Sequence, residues 1–150
     1  MVELREITKD NIEQVLSLEV YDHQRDFVST TAHSLAQAWV YNDTAFPYAV
    51  YSDNIPVGFV MLGYYEIKDQ YTLWKFLIDK RHQGKGYGTK ALMLAIDLLV
   101  EKYHVNEIYT GVAFGNHIAK QLYESVGFKE TGEKDNFQLE MKLTISDSDK

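Results

Sequence analysis

Between residues 76 and 89 the chain reads Phe76-Leu77-Ile78-Asp79-Lys80-Arg81-His82-Gln83-Gly84-Lys85-Gly86-Tyr87-Gly88-Thr89, with glycine at alternate positions and Lys80, Arg81 and Lys85 beside them. An apolar strand pattern precedes this stretch and a long helical pattern follows it. Free backbone N–H groups and the positive end of a helix dipole converge at such a junction, and glycine lets an oxyanion approach the main chain without meeting a Cβ. The chemistry that suits it is binding of a phosphate or diphosphate; the alternative is that the glycines only form a tight turn. No Gly-Lys pair is followed by Ser or Thr, so this is not a P-loop. Thr89 or Ala91 stands where a dinucleotide-binding fingerprint needs its third glycine.

Residue types remove other chemistries. The chain has no cysteine, which excludes disulfides, cysteine-ligated metals and thiolate nucleophiles. Histidines at 23, 33, 82, 104 and 117 show no metal-ligand spacing, so no metal is expected, and no Gly-x-Ser-x-Gly elbow is present. Lys+Arg 15 against Asp+Glu 22 gives a formal charge of −7, which argues against a nucleic-acid or anionic-membrane partner. The basic cluster Lys80-Arg81-His82 with Lys85 is better explained by the phosphates of a small ligand.

The elements that must position this loop are legible in outline. A length of 150 residues suits one domain, 1–150, with residues 144–150 as a polar tail. The charged amino terminus and the lack of any long apolar run predict a cytoplasmic protein. A strand over Val2, Leu4 and Ile7 leads to a helix capped near Asp10-Asn11, and a second helix spans Thr31 to Tyr41 with Leu35, Ala38 and Trp39 on one side. Strands follow at Phe46 to Tyr51, Val57 to Tyr65 and Tyr71 to Ile78. Leu92, Ala95, Ile96, Leu99 and Tyr103 mark a long amphipathic helix, then come a strand at Glu107 to Phe114 and a short helix from Asn116 that Gly127 can end. A hairpin of Lys129 to Glu133 with Phe137 to Leu143 closes the chain. This order predicts an α/β fold, one mixed sheet with helices packed on it, parallel where the long helix joins two strands. An exposed strand edge near the carboxyl terminus would make a homodimer reasonable.

Gln83-Gly84-Lys85-Gly86-Tyr87-Gly88 resembles the Gln/Arg-x-x-Gly-x-Gly/Ala signature of the GNAT superfamily of acyl-CoA-dependent N-acetyltransferases. A second stretch, Asn116-His117-Ile118-Ala119-Lys120-Gln121-Leu122-Tyr123-Glu124-Ser125-Val126-Gly127-Phe128, resembles that family's Asn-x-x-Ala-x-x-Leu-Tyr-x-x-x-Gly-Phe element. The lead-in Trp74-x-Phe76-x-Ile78-Asp79 is similar to bacterial spermine/spermidine acetyltransferases. The resemblance implies a central, mostly antiparallel sheet flanked by helices and acetyl-CoA as cofactor. It implies that Gln83, Gly84, Lys85, Gly86, Tyr87, Gly88 and Thr89 bind the pyrophosphate. It further implies that the backbone of Phe76, Leu77 and Ile78 pairs with the pantetheine, that Asn116 contacts it, and that Tyr123 is a catalytic acid for the departing thiolate. Asn116 as a plain N-cap and Tyr123 as plain core remain the alternatives. The two are seven residues apart, about two helical turns, and so share a face.

The implied reaction is direct attack by an amine in a ternary complex. An alkylammonium of pKa about 10.4 is neutral only about one part in 2,500 at pH 7, a deficit of about 4.6 kcal/mol, so some group must accept a proton. Glu19, Asp22, Asp26, Glu66 and Asp79 are candidates for that base or for holding a cationic substrate, and the sequence does not choose among them. A small polyamine such as spermidine or spermine suits the net charge and the Glu19, Asp22, Asp26 segment. Relatives that use polyamines often carry acidic residues where this chain has Trp74-Lys75-Phe76, and Lys75 departs from that. Another amine (an aminoglycoside, an amino acid or a protein N-terminus) and a non-catalytic CoA-binding sensor are the alternatives.

Overall fold

The computed structural model describes residues 1–147. Seven strands form one sheet in the order β1-β2-β3-β4-β5-β7-β6, namely β1 (Val2–Glu6), β2 (Ala45–Ser52), β3 (Ile55–Tyr65), β4 (Gln70–Ile78), β5 (Glu107–Ala113), β6 (Lys129–Lys134) and β7 (Gln138–Thr144). Only β4 and β5 run parallel. The helices are α1 (Ile12–Leu16), α2 (Thr31–Val40), α3 (Tyr87–Tyr103) and α4 (His117–Ser125).

The central β3 is buried from Pro56 to Gly63, as a strand covered on both faces must be. On one face α3 lays down Ala91, Leu92, Ala95, Leu99 and Val100 against Val60, Leu62, Leu73 and Ile108. Leu92 and Leu99 are fully buried, which stabilises the fold by roughly 2 kcal/mol apiece. The crossover through α3 is long enough to join two parallel strands, which a tight turn cannot do. On the other face α1, α2 and the segment between them cover Ala49, Phe59, Met61 and Leu77 with Val15, Leu18 and Ala38.

Pro56 faces Tyr51 beside a bulge in β3, where Val57 is the extra residue, a place in a sheet that tolerates proline. Two details differ from expectation. The buried face of α2 is Thr31, Ser34 and Ala38, while Trp39 is 80% exposed, because it lies about 100° around the helix from Ala38. The carboxyl end stays packed further than a tail from 144 would: Thr144 closes β7 and Ile145 is buried, its N–H donating to the Asn106 carbonyl at 2.8 Å. Of that tail, residues 148–150 lie outside the described residues. Of the two edge strands, β1 and β6, the latter is exposed throughout and carries Lys129, Glu130, Glu133 and Lys134, charges that discourage edge-to-edge pairing.

Candidate active site

Strands β4 and β5 pair at Tyr71 with Ile108, Thr72 with Tyr109 and Leu73 with Thr110. There β4 bulges: Leu62 of β3 faces Leu73 while the neighbouring Met61 faces Lys75, so Trp74 is the extra residue. A bulge bends its strand and sharpens the local twist. The Thr110 hydroxyl donates to the Leu73 carbonyl at 2.9 Å, closing the vertex. Beyond it, among the described residues, Phe76 to Ile78 keep partners on β3 but none on β5, whose Gly111 to Ala113 keep only their β7 partners on the opposite edge. The two strands thus splay around a cavity of about 320 Å³, with the backbone edge of β4 available to an extended ligand. Phe76, Leu77 and Ile78 all line it.

One end of this cleft is the glycine loop. Asp79, directly after β4, is fully buried and holds the loop down, accepting from the Glu19 N–H at 3.0 Å, the Arg81 N–H at 3.0 Å and the Arg81 guanidinium at 2.9 Å. Burial alone would raise its pKa, but the Arg81 hydrogen bond and the two backbone N–H groups outweigh that and hold it below the usual aspartate value. The Gln83 side chain donates to the Ile78 carbonyl at 2.9 Å and exchanges amide bonds with Gln24, stapling the loop to the segment after α1. Gly84 and Gly86 have φ of +80° and +82°, and a Cβ at either would meet nothing within 4 Å. Their conformation needs glycine and the space beside them is open, as a site for an oxyanion requires. Gly88 differs, since its Cβ would press on Leu122 at 3.3 Å, making it a close-packing contact between α3 and α4. Gln83, Gly84, Gly86, Tyr87 and Gly88 line the cavity, whereas Lys85 and Thr89 lie outside its walls.

The opposite wall is α4. Asn116 caps it, its Oδ1 accepting from the Ala119 N–H at 3.4 Å, and both Asn116 and Tyr123 line the cavity, so capping and facing the cleft coexist. The Tyr123 ring is 6% exposed and packs 5.7 Å from Phe128. Burial pushes its phenol up to about 12, with a hydrogen bond to Thr110 opposing the shift, so the hydroxyl is protonated throughout the neutral range.

An open glycine loop, a splayed pair of parallel strands and a protonated phenol between them are the parts that an acyl transfer from a long thioester would use. The model of the Acetyltransferase (GNAT) family matches residues 5–128. The chain belongs to the GNAT acetyltransferase family. It is similar to the spermine/spermidine N(1)-acetyltransferase of Bacillus subtilis strain 168, at 32% identity over 140 residues, covering 89% of this chain and 91% of that protein. Among solved structures it is similar to spermidine N-acetyltransferase from Vibrio cholerae in complex with CoA and spermine, with TM-score 0.76, 19% identity and 95% of each chain covered. It is equally similar to AAC(6′)-Ib bound to paromomycin and acetyl-CoA, with TM-score 0.77, 21% identity and coverage of 95% and 93%. Those two likenesses establish the acetyltransferase fold and do not choose between amines.

The carboxylates singled out in the sequence are not gathered at the centre of this GNAT cleft. Glu19 is bound to the Lys80 ammonium at 2.8 Å and lies 3.9 Å from Arg25; the Lys80 hydrogen bond and charge hold its pKa below the usual glutamate value. Asp22 pairs with Arg25 at 3.1 Å, and Asp26 is an exposed surface charge. Glu66 starts the turn between β3 and β4, and Asp79 is sealed beneath the loop. Among the described residues, no carboxylate lines the first cavity. Carboxylates occur at a second cavity of about 740 Å³ across the vertex, lined by Glu133, Asp135 and Glu140 with Tyr64, Tyr65 and Tyr109. Sequence reasoning missed this mouth. The signal was there in Glu133 and Asp135, two residues apart in a hairpin turn, but only the β6–β7 register brings them over β5.

Proposed function

We propose that the protein transfers the acetyl group of acetyl-CoA to a primary amine of spermidine or spermine, by direct attack in a ternary complex. The observation that carries this reading is the cleft itself, open at one end to a glycine loop and at the other to a mouth where Glu133, Asp135 and Glu140 stand among Lys68, Lys75 and Lys134. The Bacillus subtilis relative, a named spermine/spermidine N(1)-acetyltransferase, supports the substrate class. The CoA-bound Vibrio cholerae neighbour supports the cofactor.

The residues present fit that cofactor: Gly84 and Gly86 offer an unobstructed oxyanion cradle, and the β4 edge from Phe76 to Ile78 offers amide partners. Acetyl-CoA would supply the acetyl group as an activated thioester. The loop N–H groups from Gln83 to Thr89 hold the diphosphate, Asn116 faces the pantetheine, and Gln83 and Asp79 fix the loop to the strand end. Tyr123 holds a proton at its hydroxyl for the leaving sulfur. At the other mouth Glu133, Asp135 and Glu140 attract the ammonium groups of the acceptor.

Release of free CoA tests this directly, measured with purified protein, acetyl-CoA and, separately, spermidine, spermine, putrescine, lysine and an aminoglycoside. Saturable release with the polyamines is expected. Release with the aminoglycoside or lysine alone would move the assignment to that amine, and protection by CoA against thermal unfolding without any turnover would make the protein a sensor.

A further inference from the structure

If the cleft carries out the proposed acetyl transfer, the attacking amine must first lose a proton, and the residue that takes it has to stand where acceptor and thioester meet. Residues common to the walls of both cavities are Trp74, Lys75, Thr110, Gly111 and Gln138. Of these only Lys75 has a side chain, an amine, that can accept and return a proton. The bulge is what puts it there. Trp74 packs into the apolar cluster under α1 and α2, and the next residue, Lys75, turns to the same side, its Nζ donating to the Ser29 hydroxyl at 2.7 Å just before α2. That nitrogen lies 5.9 Å from the Trp74 ring centroid.

Lys75 is half-buried, and among the described residues it has no carboxylate within 4.0 Å. Lys80, Lys120 and Lys142, by contrast, each hold an acidic partner. The charged groups around the second mouth are Glu133, Asp135 and Glu140 with Lys68 and Lys134, and His82 and the tyrosines Tyr87 and Tyr123 face the first. None of them moves Lys75; burial alone does, and it lowers the pKa below the usual lysine value.

We propose that Lys75, in its neutral form, is the proton acceptor for the amine nucleophile. Its Nζ takes one proton from the terminal ammonium of the substrate, which frees the lone pair. The C–N bond then forms at the acetyl carbonyl carbon and the C–S bond breaks, its electron pair leaving on sulfur. Sulfur takes the Tyr123 hydroxyl proton, Tyr123 recovers one from the acylated nitrogen, and Lys75 returns its proton to solvent through the second mouth. Ammonium and thioester have become acetamide, thiol and one released proton.

The test compares Lys75→Met and Lys75→Arg with the unaltered protein. At pH 7.5 both are expected to lose about 100-fold or more in kcat/KM for spermidine, the usual worth of a positioned base. CoA titration should be unchanged. The loss should shrink as pH approaches the pKa of the amine, because solution then supplies the neutral nucleophile. Arg cannot take the proton, so activity restored by Lys75→Arg would show that charge alone matters and would overturn the proposal. An unchanged pH profile in Lys75→Met would do the same. Independently of turnover, competitive labelling with acetic anhydride read by mass spectrometry should show Lys75 titrating below the exposed Lys9 and Lys85. Titration together with them would overturn it. Absence of turnover by the unaltered protein would instead count against the polyamine reading, and the labelling would still decide for Lys75.

Discussion

Replacing Tyr123 by Phe removes one oxygen from the cleft wall and keeps the ring that packs 5.7 Å from Phe128. Only the hydroxyl is lost, and a single hydrogen bond is worth about 1 kcal/mol, so the stability change should stay within about that amount. The kinetic change should be much larger. A positioned general acid is worth about 100- to 10,000-fold, or about 3 to 5 kcal/mol of barrier. The expected outcome is a fall in kcat of about 100-fold or more with CoA affinity within about threefold, since the hydroxyl acts on the sulfur and not on the phosphates. The assay is steady-state CoA release at saturating amine beside calorimetric titration of CoA. The raised phenol pKa, about 12, adds a second readout. Unfolded tyrosine ionises near 10, so above that pH the native state binds more protons than the unfolded one. Stability therefore falls as pH rises from about 10 through about 12, by roughly 3 kcal/mol in all. Tyr123→Phe should lose that part of the alkaline sensitivity. A variant turning over within about threefold of the unaltered protein would refute the catalytic assignment, and an equal loss of CoA affinity would reduce Tyr123 to packing.

Gly86→Val should abolish CoA binding in calorimetry, because a branched side chain at φ +82° enters the open space beside the loop and strains the start of α3; normal titration would remove the loop from cofactor binding. Asp79→Asn should cost about 1 to 3 kcal/mol at pH 7, since it weakens a buried, multiply bonded acceptor. The depressed pKa means the stability from Asp79 is present above the unfolded value near 3.8 and is lost as pH falls through its lower folded value, so the thermal midpoints of the two proteins should converge as the solution is acidified below 3.8. Neutralising Glu133, Asp135 and Glu140 together should raise KM for spermine about tenfold at low salt, each solvent-accessible charge being worth up to about 1 kcal/mol, and the difference should fade at high ionic strength.

Much of this architecture is legible in the sequence. Leu92, Ala95 and Leu99 repeat at helical spacing because one face of α3 must be dry, and Gly84 and Gly86 stand out because positive φ admits little else. Asn116 and Tyr123 share a face by spacing alone. What the sequence conceals is geometry made by long-range register. Asp79 reads as one more surface carboxylate, and only the turn that ends β4 draws it inward onto the Glu19 N–H, 60 residues away in sequence. Trp39 reads as part of the apolar side of α2, yet the small Ser34 and Ala38 permit close approach to the sheet and leave the large ring outside.

The bulge at Trp74 is the sharpest case, since one extra residue leaves no trace in the alternation from Tyr71 to Ile78. Without it, Lys75 would follow Trp74 to the opposite face of the sheet, β4 would continue alongside β5, and no cleft would separate Phe76 from Val112. A single unpaired residue therefore opens the cleft in which the proposed transfer takes place and turns a lysine side chain into it, which is why that lysine could be noticed in the sequence as out of place but not assigned a task.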